Sequence, residues 1–141
     1  LTNRPPMSLL KRFVVEKSGE HRNEFDLKMR GLTPVVDAAR VLSLDLGIKT
    51  QNTLGRLAEI SQRGVIDSKF HADLREAYEF IVYLQISRHL DALAKGEDPD
   101  NFIDPKSLNS LQRKMLKESF AVIRRLQSSI EFRFQTRRVG I

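Results

Sequence analysis

The sequence predicts an all-α fold: an antiparallel helical bundle of four to five helices, with room for a short N-terminal β-hairpin. Three observations carry this. Apolar residues recur every three to four positions from Pro34 onward. Each periodic run opens on an Asn, Asp or Thr suited to helix capping and most of them close on a glycine. At 141 residues and 40% apolar content, the chain can bury one core of ordinary size.

Residues 1–8 read as a linker, broken by Pro5-Pro6. Residues 9–17, ending in Phe13-Val14-Val15, read as a strand, and a helix over 9–15 fits equally well. A turn-like stretch over 18–23 leads into a second strand over 24–29. There Phe25, Leu27 and Met29 alternate with Asp26 and Lys28. Gly31 follows as a hinge, Thr33 as a helix cap and Pro34 as the first helical residue. On this reading Lys28 and Arg30 stand beside a helix N-terminus, where free N–H groups favour an anion.

The first helix runs to about residue 46, with Val35, Ala38, Ala39, Leu42 and Leu46 inward and Gly47 as its stop. The second covers 53–63, capped by Asn52, with Leu54, Leu57, Ala58 and Ile60 inward and Gly64 at its end. The third covers 68–95, roughly 40 Å at 1.5 Å per residue. Asp67 caps it, Gly96 stops it, and its apolar row is Phe70, Leu74, Ala77, Tyr78, Ile81, Leu84, Leu90 and Leu93. A loop through Pro105 follows. Asn109-Ser110-Leu111-Gln112 has the form of a capping box, and the last helix runs to about residue 136. Leu116, Phe120, Ile123, Ile130 and Phe134 are its inward face.

Composition narrows the function classes. The chain has no cysteine, which removes disulfides, thiol catalysis and Cys-based zinc sites and suits a reducing, cytoplasmic setting. No apolar run reaches membrane-spanning length, so no membrane partner is expected. Residue 1 is Leu, from which we expect a piece of a longer protein. The net charge of +6 is unevenly placed: residues 105–141 hold nine Lys/Arg against two Asp/Glu, whereas 32–104 hold eight against twelve. The basic end could meet phosphates, an acidic partner or water.

Little in the chain looks catalytic. His71 and His89 are 18 residues apart on one helix, roughly 27 Å, too far to share a metal. Asp98-Pro99-Asp100 has the look of a metal-binding Asp-x-Asp but sits in a loop between Gly96 and Pro105. No phosphate-cradling glycine loop and no nucleophile elbow occurs. We therefore assign no catalytic residue and no metal ligand, and expect the fragment alone not to catalyse. The last helix carries Arg113, Lys114, Lys117, Arg124, Arg125, Arg133, Arg137 and Arg138 without forming one clean stripe, which makes nucleic acid the less favoured partner.

Four segments, in order, resemble one family. They are Asp26-Leu27-Lys28 with Gly31-Leu32-Thr33-Pro34-Val35-Val36-Asp37-Ala38-Ala39-Arg40; Asn52-Thr53-Leu54-Gly55-Arg56-Leu57; Asp100-Asn101-Phe102-Ile103-Asp104-Pro105; and Leu111-Gln112-Arg113-Lys114-Met115-Leu116-Lys117-Glu118-Ser119-Phe120. The chain is similar through about residues 9–136 to nucleotidyltransferase substrate-binding domains, and more distantly to PII-protein uridylyltransferases. The resemblance implies a metal-dependent nucleotidyltransferase domain upstream in the same protein, using Mg²⁺ and an NTP. It also implies a signalling protein with CBS and cyclic-nucleotide-binding domains further upstream. This fragment itself needs no cofactor. The helical domain would help form the acceptor site, as the bundle of kanamycin nucleotidyltransferase does, for a protein or small-molecule acceptor.

On that resemblance residues 1–30 are the tail of the upstream domain or a junction, and 31–141 the substrate-binding bundle. Lys28, Arg40 and Arg56 are the expected phosphate-binding side chains, with Asp26 and Asp37 orienting them or touching the acceptor. Structural ion pairs are the competing explanation, since Asp37 and Arg40 are three apart on a helix. The alternative functions are a protein-interaction bundle, including a homodimer, and nucleic-acid binding through the basic last helix. Asn52, Asn101 and Asp104 are expected to be caps and loop pins.

Overall fold

The computed structural model describes residues 19, 21 and 23–138, the last three by backbone alone. The expected linker over 1–8 and first strand over 9–17 lie outside the described residues. The rest is an all-α bundle with one small antiparallel sheet. In order come β1 (Phe25–Asp26), a π-helical turn (Lys28–Leu32), α1 (Thr33–Leu46), α2 (Thr53–Gln62) and α3 (Ser68–Ala94). Then follow β2 (Phe102–Ile103), a 3₁₀ turn (Pro105–Ser107) and α4 (Ser110–Arg138).

The helix boundaries follow from local hydrogen bonding. The Asn52 carboxamide oxygen accepts from Gly55 N–H at 2.7 Å, and the Asp67 carboxylate accepts from Phe70 N–H at 2.7 Å. The α4 capping box forms in both directions: Gln112 N–H donates to Asn109 Oδ1 at 2.8 Å, and Asn109 N–H to Gln112 Oε1 at 3.1 Å. Gly47 closes α1 in the left-handed region, with φ +70°.

Leu42, Leu57, Leu74, Ile81, Leu116, Ile123 and Leu126 form the centre of one core. The longest packing contact of the bundle is α3 against α4. Phe25 enters the same core, its ring 4.7 Å from that of Phe120.

Four expectations are corrected. The strand ends at Asp26, and Leu27 is already helical, so the alternation stops: Leu27 is buried but Met29 is exposed. Its partner among the described residues is β2, with Phe25 opposite Ile103 and Asp26 opposite Phe102. Leu27 N–H extends the ladder to Asn101 O at 2.8 Å.

Gly31 is not a hinge. It lies inside the π-helical turn, buried, and a Cβ there would stand 3.1 Å from Ile81 Cδ1 and 3.2 Å from Ile81 Cγ2. Glycine lets the turn pack closely against α3, since a Cβ would press on the Ile81 side chain. Thr33 does not cap a helix either. Its N–H donates to Lys28 O and the backbone is helical on both sides, so no free N-terminus faces Lys28 and Arg30.

Leu90 and Leu93 do not belong to the core. They are 61% and 60% exposed, while Ala92 beside them is fully buried. The inward row turns away from them over the last three turns of α3.

Candidate functional groove

Asp26 sets the local geometry. Its carboxylate accepts from Met29 N–H at 2.9 Å, which starts the helical turn one residue after β1 ends. The π-helical turn then carries Lys28 onto the same side as Thr33, Val36, Asp37 and Arg40 of α1. Insertions of this kind widen a helix locally and re-aim its side chains.

Across from this wall stand Tyr78 and Gln85 of α3, two turns apart. Together the two walls enclose a groove of about 400 Å³. Its charged side chains are Lys28, Asp37 and Arg40. Arg40 Nη1 lies 3.5 Å from Asp37 Oδ1, and both are partly exposed, so the pair is weak and open to exchange for another anion. Lys28 is exposed and has no ion-pair partner among the described residues. Gln85 is held by a 2.7 Å hydrogen bond from its Nε2 to Asn101 Oδ1, which also lies 3.1 Å from His89 Nε2.

The structure thus brings together three of the five expected residues. Arg56 is elsewhere: its Nε donates to Thr50 O at 2.8 Å and fastens the α1–α2 connection. Asp26 acts on its own turn and does not line the groove. Sequence reasoning missed Tyr78 and Gln85. The available signal was their seven-residue spacing beside the core row, which places both on one flank of α3.

The acidic loop has a structural role. Asp100 Oδ1 accepts from Phe102 N–H at 3.0 Å and from Arg88 Nε at 3.4 Å. Asp104 caps the 3₁₀ turn through Lys106 N–H at 2.9 Å. Among the described residues no group of three or more His, Asp or Glu could hold a metal ion. On α4, Arg125 lies over the Phe70 ring at 4.4 Å and Arg133 pairs with Asp45 at 3.1 Å. Two of the basic residues of the last helix are therefore committed within the bundle.

A second cleft of about 360 Å³ lies between α3 and the β2 region, with Glu24, Asp91 and Asp104 facing Arg88 and Lys95. His21 stacks on Phe102 at its edge, with ring centroids 3.7 Å apart. Acids outnumber bases there, whereas in the groove bases outnumber acids.

The family model described as putative nucleotidyltransferase substrate binding domain matches residues 1–134. This chain belongs to that family. The match covers both walls of the groove and extends across residue 30 into the segment before the bundle. No curated protein and no solved structure matches the substrate-binding domain significantly. No helix among its described residues is long and apolar enough to cross a membrane.

Proposed function

We propose that this domain holds the acceptor beside a nucleotidyltransferase domain of the same protein, and that the groove between α1 and α3 is where it does so. The observation that supports the reading most is the convergence of Lys28, Asp37 and Arg40, drawn from two elements, on one open groove. Lys28 and Arg40 would neutralise phosphate oxygens of the nucleotide or acceptor, and Asp37, released from Arg40, would accept a hydrogen bond from an acceptor hydroxyl or amine. Tyr78 and Gln85 supply a flat apolar face and an amide held in place by Asn101.

Transfer of a nucleotidyl group needs an acceptor held in line with the α-phosphate, and fixing it there converts binding energy into proximity. Mg²⁺ and the NTP would be held by the upstream catalytic domain. CBS or cyclic-nucleotide-binding domains further upstream would make transfer responsive to a signal.

The test is nucleotide transfer by the longer protein, read as pyrophosphate release and label incorporation with Mg²⁺ and each NTP. Lys28→Ala and Arg40→Ala are expected to lower transfer at least about tenfold, the effect of one lost charged contact, with unchanged thermal unfolding. Transfer unaffected by both would remove the groove from the reaction.

A further inference from the structure

The outer face of α3 carries Tyr83, Ile86, Leu90 and Leu93, between 52% and 61% exposed. Their spacing is three, four, three, the pattern of a coiled-coil seam. They stand roughly 180° around the helix from the buried row of Phe70, Leu74, Ala77, Ile81 and Leu84, at 3.6 residues per turn. The C-terminal half of α3 is thus apolar on two faces, and the outer one leaves more than half of each side chain open, with Tyr83 also bordering the second cleft. No charged residue interrupts the seam, and Ser87 and Ala94 beside it are small. The groove residues Tyr78 and Gln85 lie on a different flank, so this surface is independent of the proposed acceptor site.

We infer that this face pairs with α3 of a second copy of the chain, antiparallel, about a two-fold axis near position 88. The seam is complementary to itself in that arrangement: Tyr83 meets Leu93 of the second copy, and Ile86 meets Leu90. An isologous contact of this kind closes as a dimer and covers the seam on both copies. The area is consistent with one. At roughly 200 Å² for a fully exposed large side chain, the four leave on the order of 450 Å² open. A dimer interface of standard size covers about 800 Å² per partner and is about 60% apolar, so the seam provides the apolar share. Single exposed leucines need no explanation, but a contiguous apolar patch of this order is often a functional surface.

Sedimentation equilibrium of the whole chain, over a series reaching about 100 μM, tests this. The expected mass is twice 16.2 kDa. Leu90→Glu, at an exposed site, is expected to keep the helical circular dichroism and weaken association at least about 100-fold. The chain has no cysteine, so a mixture of Ile86→Cys and Leu90→Cys chains is expected to give the mixed disulfide across the seam. A mass of 16.2 kDa at every concentration would overturn the inference and give the face to another domain or to the chain's own N-terminal segment. A dimer that survives Leu90→Glu, or one that gives no mixed disulfide, would overturn it as well.

Discussion

At the corner between α1 and α2, polar side chains are committed to holding backbone. Asn52 caps α2, Arg56 Nε donates to Thr50 O, Thr50 Oγ1 donates to the Glu59 carboxylate, and Arg63 donates to Leu46 O at 2.5 Å. In the groove between α1 and α3 the charges are of similar number but held loosely. Among the described residues Lys28 and Arg40 reach no backbone carbonyl, and their one ion pair is the 3.5 Å contact between Arg40 and Asp37. Both regions lie within the residues that match the family. The comparison separates cations that stabilise the fold from cations that remain available to a ligand, a distinction that residue type does not make.

The strongest way to break the corner is Gly55→Ala. A Cβ there would lie 2.7 Å from Thr50 Cγ2 and 2.9 Å from Asn52 Oδ1, and we expect a loss of about 2–3 kcal/mol in urea unfolding. The neighbouring Thr50 and Asn52 are held by hydrogen bonds and cannot move aside without losing them. A loss under about 0.5 kcal/mol would show the corner to be looser than described.

Beneath the groove, Gly31→Ala presses on Ile81, which is a side chain and can shift. About 1–2 kcal/mol is expected from thermal unfolding, and Gly31→Val should cost more. Equal costs for the two would mean that the turn moves as a body.

Asn52→Ala removes a cap and should cost about 1 kcal/mol. Arg56→Ala removes the bond to Thr50 O and should cost about the same. Because these changes share one corner, the double variant is expected to depart from additivity. Strict additivity in a double-mutant cycle would argue that Asn52 and Arg56 act separately.

The smallest effects on stability are expected at Lys28→Ala and Arg40→Ala, within about 0.5 kcal/mol of the parent. Those same changes should carry the largest loss of transfer in the longer protein. If either destabilises the chain as much as Arg56→Ala, the contrast between the two regions fails at that residue.

Much of the bundle was legible because its punctuation is local. Asn52, Asp67 and the Asn109–Gln112 box bond within three residues of themselves, so type and spacing suffice to place them. Asp104 was legible for the same reason, and Asn101 was correctly expected to pin its loop. The groove was legible on its α1 side, where Lys28, Asp37 and Arg40 share one stretch of chain. Its α3 side was not, because Tyr78 and Gln85 come from a helix some forty residues away.

The sequence by itself determined where α2, α3 and α4 start and which residues cap them, where Gly47 stops α1, and that the helices form an all-α bundle. Hydrogen bonds spanning three or four residues decide those matters, whatever the helices later pack against. Tertiary structure decided that β1 pairs with Phe102–Ile103, that Gly31 packs closely against Ile81, and that Leu90 and Leu93 face outward. Helical periodicity marks a residue as apolar and places it on a face; whether that face is covered depends on distant elements, and α2, α4 and the π-helical turn bury only one of the two apolar faces of α3.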